Sequence, residues 1–421
     1  VTSTEAGVRS LAVRLLKGGL PAIAASAFVA FVPILGSAYL SVDDYAVWAL
    51  AATLSTIFVV FDFGTPTLAT KLSGGGHLDF RTSTTLCGLS ALPPIVLGAL
   101  AIGIWPAYST AAGLTADRGS VYTLIALVSL GGVLRSIGVV YGAAALGRSH
   151  FYRRTAVLFF GGSVQLVATL VALESGAGIV SLGIGTVVAG GVQAVLGFAL
   201  EGGRRRNDAA LAADTSASVR QTIVLFMKTR VVVAMLGLSI TQLDRWALGL
   251  VGDAELLARY DIVTRFVMIP KIVLIALAAG LVADSSRLTT SEQGTALLVR
   301  VRKLVLLVMV PLMIGAGVVA FVAQRVALDL TPSVTVVLLV ALAHGANCAT
   351  IAPVNILTGA GRPDVELRYL VPLAAVVVLG YGIGITTGAG MTLITVWAAA
   401  MVAFSLWFWA VSGRYVREVF A

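Results

Sequence analysis

Three basic residues stand inside long apolar runs, where a charge needs a reason: Arg135, Arg265 and Lys271. A charge at the centre of a membrane helix costs about 2.5–3.5 kcal/mol on insertion scales, so each implies a partner or a wet cavity. Arg135 has Gly131, Gly138 and Gly142 at i−4, i+3 and i+7. Either another backbone packs against that stripe, or the face lines a cavity in which the guanidinium stays hydrated. Asp261 and Arg265 are four residues apart on one helical face, which predicts a local ion pair. Lys271 follows Pro270, whose ring opens the backbone ladder, and it has no acid within helical reach. It is an unpaired positive charge at depth.

Further polar positions follow. Lys228 and Arg230 sit in the first two turns of an apolar run, where snorkelling to the membrane surface competes with a substrate role. Asp62, in Phe61-Asp62-Phe63-Gly64, either anchors a turn, pairs with a base such as Lys71, or carries a proton. His344, Asn347, Cys348, Ile351 and Asn355 share one helical face. They read as interhelical hydrogen bonds, worth about 0.6 kcal/mol a pair, or as a polar lining or ion site. A metal site is not expected, because no carboxylate joins the single histidine there, and no cofactor is implied. Cys87 and Cys348 lie in apolar runs outside any CxxC pair, against disulfide and zinc alike. No HExxH, GxSxG or P-loop occurs, so the chain is not expected to be an enzyme. The cytoplasmic connections are too small for a nucleotide-binding domain.

The elements that position these residues follow from composition. Of 421 residues 58% are hydrophobic and 12% charged, the latter about half the ordinary share of ~25%. Mean hydropathy is +0.98. Too little polar surface exists to cover a soluble globule, so disorder, a secreted disulfide scaffold and a soluble enzyme are excluded. The chain reads as an all-α polytopic membrane protein, multi-pass in the cytoplasmic membrane. Twelve spans are expected, near 18–40, 45–69, 82–105, 120–146, 153–173, 178–200, 222–243, 259–283, 303–322, 333–357, 369–386 and 391–411. No cleavable leader is expected, since the first apolar run is too long for one.

Orientation comes from the bases. Alternate connections hold 20 Lys and Arg on one side and 4 on the other, the latter being Arg118, Arg245, Arg259 and Arg325. The basic side is cytoplasmic and holds both ends of the chain. This placement, rather than nucleic-acid binding, accounts for the net charge of +9. Tyr39, Tyr45, Trp48, Trp105, Tyr108, Tyr122, Trp246 and Tyr260 read as an aromatic belt at the outer interface.

The chain also repeats weakly. A shift of 214 residues lays Gly147-Arg148 on Gly361-Arg362 and Arg154 on Arg368, and a shift of 215 lays Tyr45 on Tyr260. Each span falls on the one six places later, which makes a parallel repeat of two six-helix bundles. The expected boundaries are 1–200 for the first bundle, 201–220 for a cytoplasmic linker carrying Arg204-Arg205-Arg206, and 221–421 for the second.

With this organisation, several short motifs resemble the polysaccharide-biosynthesis flippases. These are O-antigen and exopolysaccharide repeat-unit translocases of the multidrug/oligosaccharidyl-lipid/polysaccharide exporter superfamily. The motifs are Lys17-Gly18-Gly19, Asp44-Tyr45, Phe61-Asp62-Phe63-Gly64-Thr65, Leu243-Asp244-Arg245-Trp246-Ala247-Leu248-Gly249, Ala258-Arg259-Tyr260-Asp261 and Leu357-Thr358-Gly359-Ala360-Gly361-Arg362-Pro363. The resemblance implies alternating access through a cation-lined cavity. The implied cargo is a polyprenyl diphosphate-linked glycan, moved to the outer leaflet among membrane lipids, with a glycan polymerase or glycosyltransferases as partners. Arg135, Lys271 and Arg265, with Lys228 and Arg230, would then meet the diphosphate through charge-assisted hydrogen bonds. The alternative is a gradient-driven small-molecule or drug exporter of the multidrug and toxic-compound extrusion class. That class would want an acidic cavity for organic cations, whereas the buried excess here is basic.

Overall fold

A computed structural model describes residues 28, 31–32, 34–74, 78–148, 150–202, 231–285, 288–328, 330–360 and 362–420. Among these residues the fold is all-helical, without strands. A short helical segment over 34–39 precedes α1 (Val42–Val60), α2 (Thr65–Gly74), α3 (Phe80–Ala111), α4 (Arg118–Gly147), α5 (Phe151–Glu174) and α6 (Ser181–Gly197). A π-helical turn, Phe198–Gly202, continues α6. The later helices are α7 (Val231–Thr241), α8 (Leu243–Leu250), α9 (Ala254–Ser285), α10 (Ser291–Leu328), α11 (Val334–Gly359), α12 (Leu367–Thr387) and α13 (Gly390–Val419). Eight of the described helices are long and apolar enough to cross a membrane on their own. α7 and α8, bent by 41° at their junction, are together long and apolar enough for one further span. Lys228 and Arg230 lie outside the described residues, as does most of the expected linker.

Helix starts are fixed by local chemistry. Asp117 accepts from the Ser120 amide at 2.8 Å ahead of α4, and Asp79 from the Thr82 amide at 2.7 Å ahead of α3. Each fills an orphan donor of a first turn. These hydrogen bonds hold the Asp117 carboxyl below the usual carboxylate range.

The chain forms two compact units, Ala24–Leu238 and, among the described residues, Ser239–Ala421. Displaced by 214 residues, α3 to α6 fall on α10 to α13, and α1 with α2 fall on α9. The repeat therefore extends to the helices themselves, with one local difference. Between α1 and α2 the backbone turns left-handed at Phe63 (φ 56°) and Gly64 (φ 71°). Asp62 closes this break by accepting from the Gly64 amide at 2.8 Å, and its carbonyl accepts from the Thr65 hydroxyl at 2.9 Å. The turn anchor, one of the readings open for Asp62, is present in this geometry. α9 instead runs unbroken through Pro270.

In the first unit α4 and α6 meet along a seam of glycines. A Cβ on Gly131 would lie 2.7 Å from the Thr186 backbone, and one on Gly138 would lie 2.6 Å from the Gln193 backbone. Reciprocally, a Cβ on Gly190 would lie 2.5 Å from the Gly131 carbonyl. The stripe beside Arg135 is thus a close backbone approach of the small-residue kind, the first of the two readings its sequence left open.

The aromatic belt is corrected in part. Tyr45, Trp48, Trp105 and Tyr260 are fully buried rather than at a lipid interface. Trp48 packs directly over Gly36, and Tyr45 lies edge-on to Trp48 with centroids 6.1 Å apart. Tyr39 does lie exposed, hydrogen-bonded to Glu174.

Candidate functional site

The break between α7 and α8 frees backbone carbonyls in the middle of a span, and each must find a donor. Ile240 O accepts from Trp397 Nε1 of α13 at 2.7 Å and from the Tyr381 hydroxyl of α12 at 3.3 Å. Thr241 O accepts from Arg245 Nη1 at 3.2 Å. The bend is thereby stitched to α12 and α13 and closed by Arg245 of α8 itself, and α8 is aimed so that Asp244 and Arg245 point inward.

There the two residues meet α9 in a closed charge network. Arg245 Nε donates to Asp261 Oδ1 at 2.6 Å, and Arg245 Nη1 donates to Asp244 Oδ1 at 3.2 Å. The Tyr260 hydroxyl donates to Asp244 Oδ2 at 2.6 Å. Arg265 Nε donates to Asp261 Oδ2 at 3.2 Å, so the ion pair expected one helical turn apart is present. Asp244, Arg245 and Asp261 are all buried, Asp261 completely. Two carboxylates thus face two guanidiniums, and the network is neutral. Arg245, read from sequence as an outer-loop base, is instead its centre. Both cross-helix contacts, Asp244 with Tyr260 and Arg245 with Asp261, join residues sixteen apart. The doublets Asp244-Arg245 and Tyr260-Asp261 could have been paired by that common offset.

Deeper along α9, Lys271 is only 7% exposed and makes no hydrogen bond or ion pair among the described residues. Its charge acts on Cys348 and His344 of α11, its electrostatic neighbours. His344 is buried edge-on to Trp397, with ring centroids 5.4 Å apart, and neither ring nitrogen has a partner among the described residues. The rest of the α11 polar face does structural work. Asn347 Nδ2 reaches the Ser405 hydroxyl of α13 at 3.4 Å, and Asn355 Nδ2 bonds the Ile351 carbonyl of its own helix at 2.8 Å. Among the described residues no group of three or more His, Cys, Asp or Glu is placed to hold a metal ion.

Arg135 belongs to the first unit. It is half-buried beside the glycine seam, its Nε lacks a partner among the described residues, and no carboxylate pairs with it there. A second cluster in that unit escaped the sequence reading. Glu201, assigned to the linker, is 1% exposed in the π-helical turn, where it binds Arg153 Nη1 at 2.8 Å, Arg148 Nη1 at 3.5 Å and His150 Nδ1 at 3.2 Å. It ties the ends of α4, α5 and α6 together. Among the described candidate residues, the interior charges left uncompensated are therefore Arg135 and Lys271, one in each unit.

The all-helical, internally repeated fold is shared with solved transporter structures. Among solved structures, the Vibrio cholerae MATE transporter VcmN in its bent form is similar with a TM-score of 0.65 and 13% identity, over 98% of this chain and 99% of that one. An inward-facing multidrug resistance MATE family transporter of the MOP superfamily gives 0.68 and 12%, over 94% and 96%. A MOP superfamily transporter from Pyrococcus furiosus gives 0.66 and 13%, over 96% of each chain. No protein-family model matches the chain, and no curated protein matches it in sequence. The chains that share the fold are transporters rather than enzymes.

These likenesses correct the expected function. The cargo was expected to be a lipid-linked oligosaccharide, yet MATE multidrug transporters share the architecture from end to end, which favours the exporter alternative. The physical reason lies in the bases taken as diphosphate ligands. Arg265 is already neutralised by Asp261, and the glycine stripe beside Arg135 is helix packing. Three of the short motifs that suggested the polysaccharide branch hold structural roles, since Asp62 closes a turn and Asp244, Arg245, Tyr260 and Asp261 form the buried network, whereas Lys17-Gly18-Gly19 lies outside the described residues.

Proposed function

We propose that the protein is a gradient-driven exporter of small organic molecules, of the multidrug and toxic-compound extrusion kind, working by alternating access in the cytoplasmic membrane. The observation that carries this reading is the whole-length likeness to MATE transporters, at TM-scores of 0.65 and 0.68. The buried charges refine the cargo. Asp244 and Asp261 are each held by a guanidinium, so neither is open to an organic cation, while Arg135 and Lys271 remain uncompensated among the described residues. A neutral or anionic amphiphile suits such an interior better than a cation. For the Pyrococcus furiosus transporter, reverse polarity of the binding pocket is taken to suggest a different function, which supports variation in cargo charge within this fold. Export of an anion also runs with an inside-negative potential, worth about 2.3 kcal/mol per charge per 100 mV.

The test is dye retention in cells that express the protein at matched levels with an inactive control. Fluorescent amphiphiles of negative, neutral and positive charge are loaded, and their loss is followed. The anionic and neutral dyes leave faster with the protein present, and Lys271→Gln slows the anionic dye most. Retention of every dye equal to the control would overturn the proposal. Selective loss of the cationic dye would overturn its charge assignment.

A further inference from the structure

We propose that a groove at the basic end of the second unit binds the headgroup of an anionic phospholipid of the cytoplasmic leaflet. The groove lies between the start of α10 and the end of α13 and has a volume of about 670 Å³. Ala296 and Val299 line its apolar wall, and Arg300, Lys303 and Arg417 bring three positive charges against the single Glu292. None of the three bases makes a hydrogen bond or ion pair among the described residues. Their neighbours are all engaged. Arg414 pairs with Glu418 at 2.7 Å, Arg362 pairs with Asp364 at 2.9 Å, and Arg368 lies over the Tyr415 ring at 4.8 Å. Among the described residues, the unengaged positive charge at this end of the unit thus lies in the groove.

Its depth in the membrane follows from helix length. α10 has 38 residues, which rise about 57 Å at ~1.5 Å each and exceed a hydrocarbon core of about 30 Å. Beyond Val299 in the groove itself, the continuous exposed apolar band of α10 starts after Lys303, at Leu304, Leu306 and Leu307. Arg300 and Lys303 therefore stand where that band ends, at headgroup level, and the apolar wall continues into the lipid-facing surface. By the charge rule this end faces the cytoplasm. A lipid satisfies both halves of the groove, phosphate against the bases and glycerol or chain carbons against Ala296 and Val299. A free anion satisfies only one. Basic pockets between spans on the cytoplasmic side suit such headgroups.

The walls are fixed without the ligand. The Arg302 guanidinium stacks over Trp409 at 4.7 Å, and its Nη2 donates to the Trp409 carbonyl and to the Ser412 hydroxyl, clasping α10 to α13. Gly294 lets Phe420 close over it, since a Cβ there would lie 2.7 Å from the Phe420 ring.

The test is native mass spectrometry of the full chain titrated with phosphatidylglycerol or phosphatidylcholine, with glycerol 3-phosphate as a soluble competitor. Phosphatidylglycerol is retained in preference, and glycerol 3-phosphate does not displace it. The triple variant Arg300→Gln, Lys303→Gln, Arg417→Gln weakens retention roughly a hundredfold, at about 1 kcal/mol per base. Glu292→Gln strengthens it several-fold, and Arg414→Gln, whose base is already paired, leaves it unchanged. Equal retention by the triple variant and the parent overturns the proposal, as does displacement by glycerol 3-phosphate, which would mark a soluble-anion site. If the triple variant does not fold, Glu292→Gln decides, and no gain in retention overturns the proposal.

Discussion

Asp244, Arg245, Tyr260 and Asp261 differ from Lys271 in one respect that separates architecture from transport: among the described residues every charge in the quartet is answered and that of Lys271 is not. Removing one partner from a buried ion pair strands the other and costs about 3–5 kcal/mol. Arg245→Met should therefore lower thermal stability by that order in detergent, measured by intrinsic fluorescence. Adding Asp244→Asn to Arg245→Met should restore part of the loss, because Asp261 keeps Arg265 and Asp244 is the carboxylate that Arg245 leaves stranded. An additive double variant would mean that the pair is not coupled. Lys271→Gln should do the reverse, leaving melting unchanged or slightly higher while slowing transport, since it strands nothing. The sequence made the Asp261–Arg265 pair legible because one helical turn fixes the distance. It hid Arg245, whose partner lies sixteen residues away across the connection from α8 to α9, because the expected span bounds left α8 in a loop. Glu201 was hidden for the same reason: its three bases come together only when α4, α5 and α6 close.

At the scale of elements, the glycine seam sets how closely α4 and α6 approach. Gly190 and Gly191 are adjacent and should respond oppositely. A Cβ on Gly190 would lie 2.5 Å from the Gly131 carbonyl, whereas one on Gly191 would meet nothing within 4 Å. Gly190→Ala should cost about 1–3 kcal/mol by forcing the helices apart. Gly191→Ala should be neutral or gain up to about 1 kcal/mol from helix propensity. Thermal melts of the two variants side by side check this, and equal behaviour would remove the seam from the account. The stripe at Gly131, Gly138 and Gly142 was visible in sequence, but a gap for a neighbouring backbone and a gap for water look alike there. Only the matching stripe on α6, at Gly183, Gly190 and Gly197, distinguishes them. The turn at Phe63 was equally hard to read, because its left-handed backbone falls on a residue type that seldom adopts one.

For the whole molecule, the helical class and the parallel repeat were legible, because each is written in the sequence at a coarse period. Cargo was not. It depends on which interior charges remain after the others have paired, and that is a property of tertiary contacts rather than of residue type. The same reckoning predicts how transport responds to voltage. An exporter whose uncompensated interior charge is positive should move an anionic amphiphile faster when the receiving side is positive, by up to about tenfold for 60 mV acting on one charge. The most direct measurement is dye efflux from proteoliposomes containing the purified full chain, with the membrane potential set by potassium diffusion and the ion gradients varied separately. The account predicts protein-dependent efflux of the anionic dye that quickens with a negative lumen and falls several-fold in Lys271→Gln. Efflux no faster than from protein-free vesicles under every gradient, or efflux indifferent to Lys271, would contradict it.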